Sequence, residues 1–195
     1  MERRSASMVP WLVAAGAVAV AWAVRRRMQQ PCSPAVARQA GLDMVQRTRR
    51  VLAIGPGPED LERYAGGTLR LLTGNGSPVT LAVLSGEATA VPEALLLRPD
   101  LPGGEVRPGP ELERALDDLW HRVQPELVLV HDPKAALGAG HNPAHLALAA
   151  GVVARARRSL AAGERLYLYA TRQPNVLVEV PGAEPGRLEY FHRLT

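Results

Sequence analysis

A chain of 195 residues is long enough for one ordinary domain and short for two. Its single cysteine, Cys32, excludes a disulfide framework and a thiolate-based zinc site, so cysteine usage gives no sign of an oxidising compartment. The net charge of +4 is unevenly placed: residues 1–50 carry nine arginines against two acids, whereas residues 51–195 carry fourteen Lys and Arg against seventeen acids. The body is therefore mildly acidic and lacks the clustered basic face that non-specific nucleic-acid binding needs, so no nucleic-acid partner is expected.

Residues 8–24, "MVPWLVAAGAVAVAWAV", hold no charge, carry Trp near both ends, and run directly into Arg25, Arg26 and Arg27. As a helix they would span about 25 Å, slightly short of the roughly 30 Å hydrocarbon layer. Interfacial Trp and snorkelling Arg side chains would cover the difference. A cleaved signal peptide with "AWA" (21–23) as its small-x-small site is the rival reading. The three arginines that follow argue against export. Residues 1–27 are expected to be a single-pass membrane anchor with the body on the cytoplasmic side. Cys32 lies close to this span and is read as a linker thiol.

Residues 28–49 read as a linker and a short helix: "QQPCSPAV" punctuates the chain and "ARQAGLDMVQRTRR" has amphipathic character. From residue 50 to 195 strands and helices alternate. "RVLAIG" (50–55) reads as a buried strand and "DLERYAGGTLRLLTGNG" (60–76) as a helix stopped by Gly-Asn-Gly. "PVTLAVLSG" (78–86) is the next strand, and residues 87–110 are rich in Pro and Gly, with one weak apolar run at 94–97.

"PELERALDDLWHRVQ" (110–124) has Pro in its first turn, and Leu112, Ala115, Leu116, Leu119, Trp120 and Val123 fall at helical spacing. Leu119 and Trp120 read as packing residues. "ELVLVHD" (126–132) is a strand, followed by a Gly-rich loop and a helix over about 144–162 whose Arg155, Arg157 and Arg158 read as a solvated end. "RLYLYAT" (165–171) and "NVLVEV" (175–180) are strands, and "GRLEYFHRLT" reads as the start of a last helix. The alternation predicts an α/β fold, a three-layer Rossmann-like sandwich with a mainly parallel sheet preceded by the N-terminal transmembrane helix. In such sheets ligands sit beyond the carboxyl ends of the strands, where residues 55–62 and 131–145 are placed.

Those two segments carry the chemistry. The first is "GPGPEDLE" (55–62), the second "HDP" (131–133) with "GHNPAH" (140–145). Asp60, His131, His141 and His145 have divalent-metal ligand chemistry, and Glu59 stands where a general base beside a metal-bound water would stand. Acids behind a strand also cap the next helix with no catalytic role, and loop histidines are often merely solvated. Spacing alone leaves both readings open.

The two segments resemble the PIG-L/LmbE-type family of zinc-dependent N-deacetylases, whose first motif reads A-(P)-H-P-D-D-E followed by G-G-T-L, and whose second reads (T)-H-D-P…G-H-P-D-H. Here they read "GPGPEDLERYAGGTL" and "VHDPKAALGAGHNPAH", with similarity running in order through most of residues 50–192. The resemblance implies that Asp60 and His145 are metal ligands, that Glu59 is the base, that His141 stabilises the oxyanion, and that Asp132 and Arg172 meet the substrate. Arg172 lies with Asn175 in a stretch for which a turn role is an equal reading. It also implies zinc, an N-acetylated amino-sugar substrate, and amidohydrolase activity where the centre is complete.

The departures fall on that centre. The family's first zinc histidine is Gly57, its base aspartate is the longer Glu59, and the glutamate that follows its second aspartate is Leu61. In the second motif the histidine is displaced to His141, with Asn142 in its place, and Ala144 replaces an aspartate. With one of three protein ligands gone the metal site is expected to be impaired, since even the loss of a group that only orients a ligand costs about 10–100-fold in affinity. The expected function is that of a family member with a degenerate centre. The alternative is a non-catalytic sugar-binding or membrane-associated interaction protein of the same fold.

Overall fold

The computed structural model describes residues 33–84, 91, 94–98, 106–134, 143–160, 163–181 and 187–194. The apolar segment 8–24, Cys32 and His141 lie outside the described residues, which fall within one compact unit, Ser33–Thr195. Among the described residues no helix is long and apolar enough to cross a membrane.

The elements in order are α1 (Pro34–Gln46), β1 (Val51–Gly55), α2 (Pro58–Gly74), β2 (Val79–Val83), β3 (Leu95–Leu97), α3 (Pro110–Val123), β4 (Leu127–His131), α4 (Pro143–Ser159), β5 (Arg165–Tyr169), β6 (Val176–Glu179) and β7 (Leu188–Leu194). They build one seven-stranded sheet in the order β3-β2-β1-β4-β5-β7-β6. The first five strands are parallel, and β7 runs antiparallel to both β5 and β6.

Strands β1, β2 and β4 are buried at every position, as a parallel sheet covered on both faces requires. Alternate side chains enter separate cores. Val51, Ala53, Leu127, Leu129, Tyr167 and Tyr169 pack with Met44, Leu61, Ala65 and Leu69 of α1 and α2. Leu52, Ile54, Val128, Val130, Leu166 and Leu168 pack with Leu116, Leu119, Leu148 and Val152 of α3 and α4. This two-residue alternation makes a Rossmann-like sandwich, in agreement with the fold class read from the sequence.

The helices follow their local signals. Helix α3 starts on Pro110 with Glu111 and Glu113 in its first turn, and ends with His121 and Arg122 in its last. Its buried stripe is Leu112, Ala115, Leu116, Leu119 and Trp120, as the spacing predicts, and the Trp120 indole N–H donates to Glu164 (2.9 Å). Helix α1 is more than a linker helix, because Met44 and Val45 enter the core beneath α2.

Two segments differ from their sequence reading. The weak run at 94–97 is edge strand β3, paired with β2 over Thr80–Ala82. "GRLEYFHRLT" does not begin a helix; residues 188–194 form strand β7. Glu189 and Phe191 are buried with the exposed Tyr190 between them, an alternation too short to outweigh a helical reading in isolation. What decides it is the backbone of β5 and β6, whose open edges β7 satisfies on both sides.

Candidate active-site crevice

Strand β1 leads to β2 on one side, while β4 and β5 lie on its other side, so the carboxyl ends of β1 and β4 flank the topological switch point. The turn 56–59 leaves β1 there, and Asp132 leaves β4 there. Helix α2 begins at the same place, with Gly57 as its extended N-cap, Pro58 at its first position, and Glu59 and Asp60 in its first turn.

At the tip of α2 the residues that differ from the deacetylase motif have been absorbed into other roles. A Cβ on Gly57 would run into the carboxyl group of Glu59, whose Cδ lies 2.6 Å from that point. Glu59 thus folds over the position where the motif has a histidine. Leu61 is fully buried in the core shared with α1, 3.0 Å from where a Cβ of Gly55 would lie. A carboxylate there would be enclosed by apolar side chains, at a cost that an unpaired charge does not recover.

Asp60 and His145 lie close enough for their charges to act on each other. Burial holds the Asp60 carboxyl above its ordinary range and Glu59 adds to the effect, while His145 and Arg63 pull it down. His131, the last residue of β4, is completely buried, and neither ring nitrogen has a hydrogen-bond partner among the described residues. The peptide group of His145 faces it without hydrogen-bond geometry. Burial lowers its pKa to about 4, with the charge of His145 acting in the same direction. The ring is therefore neutral at physiological pH.

The floor of the crevice is a residue the sequence reading passed over. Tyr169, at the end of β5, is fully buried and reaches past β4 to donate its hydroxyl to the Ile54 carbonyl on β1 (3.3 Å). Its ring stacks on Tyr64 of α2 (centroids 6.0 Å apart) and tilts against His131 (6.1 Å). Burial, aided by the negative charge of Asp60, holds the phenol far above its ordinary pKa, so it stays protonated. In sequence Tyr169 is only one alternating residue of a strand, and no local signal marks it.

Asp132 and Arg172, expected at a substrate site, line one cavity of about 330 Å³ together with Pro133, Lys134, Arg157 and Thr171. The chain reaches Thr171 through Ala170, which takes a left-handed conformation (φ 55°) that L-residues adopt sparingly. The turn lets the Thr171 hydroxyl donate to Asp132 Oδ2 (3.0 Å), while the Lys134 backbone N–H donates to Oδ1 (2.9 Å). Arg157 does not behave as one of three equivalent solvated arginines. Arg155 pairs with Asp117 and lies over the Trp120 ring (5.1 Å), Arg158 approaches the same Asp117 (3.5 Å), and Arg157 turns to the cavity. Arg155 and Arg158, three apart, share a face of the helix and Arg157 lies off it, and the packing of α4 decides which of the two faces meets the cavity.

Among the described residues no three His, Cys, Asp or Glu side chains gather as a metal site would. Gly57 contributes no ligand, so the described residues do not fit the three-ligand zinc centre that the motif resemblance implies.

No protein-family model matches the chain, and no curated protein matches it in sequence. Solved structures do match in fold. One is N,N'-diacetylchitobiose deacetylase from Pyrococcus horikoshii in complex with an inhibitor, which is 18% identical, with 72% of this chain and 67% of that chain covered at a TM-score of 0.54. Another is the conserved protein TT1542 from Thermus thermophilus, which is 21% identical, with 68% of this chain and 72% of that chain covered at a TM-score of 0.50. At these identities the shared property is the fold, so the chain has the deacetylase-like α/β architecture.

Proposed function

We propose that this protein is a PIG-L/LmbE-type relative of the N-deacetylases in which the metal centre has been dismantled, and that its crevice binds an N-acetylated amino sugar. The observation that carries the reading is the tip of α2: Glu59 covers the position of the missing histidine at Gly57, and Leu61 is committed to the core. Substrate class is supported by the fold shared with a chitobiose deacetylase, and by the cavity that brings Asp132 and Arg172 together. The apolar, Trp-flanked segment 8–24 and the arginines behind it support attachment to a membrane with the body on the cytoplasmic side.

A second reading, residual hydrolysis, is favoured by one pairing. Asp60, with its carboxyl held above the ordinary range, interacts with His145, so an acid and a base of the expected kinds remain near each other. In that reading Glu59 and His141 keep the roles of base and oxyanion partner, and zinc is held weakly by Asp60 and His145.

Zinc content and acetate release separate the two readings. The full-length chain, purified in detergent and equilibrated with zinc, is expected to retain well under one equivalent and to release no acetate from N,N'-diacetylchitobiose. Gly57→His is expected to raise zinc retention. One equivalent of zinc, with acetate release abolished by Asp60→Ala, would establish the hydrolytic reading instead.

A further inference from the structure

The cavity behind Asp132 has a chemical character of its own. Its polar wall carries Lys134, Arg157 and Arg172, and its apolar wall is Val153, Leu168 and Leu194 from α4, β5 and β7. Lys134 is the only lysine of the chain. Among the described residues no ion pair engages any of these three cations, although Arg155 and Arg158 on the same helix both turn to Asp117. Among the described residues of the wall the one acid, Asp132, has both oxygens occupied by the Lys134 N–H and the Thr171 hydroxyl. Three cations against one internally bonded acid give the described wall an excess of two positive charges in a body whose net charge is negative.

Like charges gathered on a concave wall repel one another and focus a positive potential into it, and a bound anion relieves both effects. Guanidinium forks match the paired oxygens of phosphate, while a lysine adds a compact charge. An excess of two charges suits a dianion better than a single carboxylate, and 330 Å³ lies within the range of small-molecule sites. We propose that this cavity binds a phosphate monoester, with the phosphoryl group held by Lys134, Arg157 and Arg172 and the organic part lying against Val153, Leu168 and Leu194. The inference rests on the reading of this cavity as the ligand site, with Arg172 contacting the ligand, and adds that the ligand carries a dianionic group. Asp132 then serves to orient the Lys134 backbone and Thr171 rather than to repel the ligand.

The single lysine makes the test direct. Reductive dimethylation of the full-length chain in detergent with a carbon-13 label marks Lys134 and the N-terminal amine alone, and keeps the positive charge of each. Inorganic phosphate, titrated at constant ionic strength against chloride, is expected to shift the Lys134 methyl resonance saturably and to leave the N-terminal one in place. Arg157→Gln and Arg172→Gln should each raise the half-saturating phosphate concentration about fivefold or more, while Arg122→Gln, on an exposed face of α3, should not. A linear drift that is the same in all variants overturns the inference. A saturable shift with N,N'-diacetylchitobiose and none with phosphate overturns it too, and would leave the sugar-binding proposal standing.

Discussion

The N-terminal tip and the middle of α2 carry the two stretches of the motif resemblance, and they differ in how they are packed. Toward its middle, Gly67 lies so close to the C-terminal strands that a Cβ there would come within 2.5 Å of both Val180 methyl groups and 3.0 Å of Glu189 Oε1. The buried Glu189 carboxylate accepts the backbone N–H groups of Gly67 and Thr68 (2.8 Å each) and approaches Arg187 (3.6 Å). That end of the motif, "GGTL", is retained because it joins the helix to β7. At the N-terminal tip, the three atoms nearest to where a Gly57 Cβ would lie all belong to the free end of the Glu59 side chain, which can swing aside. The glycine that the packing needs is present, and the histidine position that the packing does not need is a glycine. A motif can therefore be half preserved for reasons unrelated to catalysis.

The sharpest test of this contrast is a pair of substitutions. Gly67→Val should destabilise the protein by about 3 kcal/mol, in the range of an overpacked core, whereas Gly57→Ala should change stability by less than about 0.5 kcal/mol. Denaturant midpoints would show it, and equal losses at the two glycines would remove the distinction.

His131 offers the next largest effect, through pH. Its folded pKa of about 4 lies below the usual 6.5, so the unfolded chain takes up a proton that the folded chain refuses. The stability it contributes is full above pH 6.5 and is lost as pH falls toward 4, amounting to about 3 kcal/mol across that interval. Unfolding free energies measured between pH 7 and 4 should fall accordingly, and His131→Leu should flatten that decline. An unchanged slope would place the ring in a wetter setting than the crevice floor.

Glu189→Ala should cost about 2 kcal/mol, because two buried amides lose a charged acceptor. Protection of the Gly67 and Thr68 amides from hydrogen exchange should fall with it. Asp60→Asn gives the smallest effect and the opposite sign. A carboxyl whose folded pKa is raised opposes folding once pH exceeds that pKa, so the amide should slightly raise the melting temperature at pH 7. A lower melting temperature for Asp60→Asn would mean that the tip of α2 is held together by its acids, as the other end is held by Glu189.

Much of this architecture was legible in the residues. The apolar runs at 51–55, 79–83 and 127–131 are strands because five consecutive buried positions suit only a sheet covered on both faces. The stripe of α3 and the stop at Gly74–Gly76 follow from local chemistry that neighbours do not alter, whereas α2 starts at Pro58, two residues before the start read from the sequence. Asp132 and Arg172 stand out in the sequence only through the motif resemblance; that they line one cavity follows from the structure, where both leave adjacent parallel strands at the same end. Strand β7 was not legible, because "LEYFHRL" becomes a strand only by filling the gap between β5 and β6. Nor was Tyr169, whose reach from β5 to Ile54 spans 115 residues of sequence, or Arg157, whose role depends on how α4 is rotated against the sheet.

The sequence by itself determined the order of elements, the faces they bury, and the absence of a histidine at 57 and of an acid at 61, because these are properties of single positions and short periods. Only the tertiary structure decided what those absences mean. Packing put Leu61 into the core, folded Glu59 over Gly57, laid Tyr169 across the crevice floor and turned Arg157 toward Lys134 and Arg172. Such outcomes depend on which distant side chains compete for one volume, and no local pattern encodes that competition.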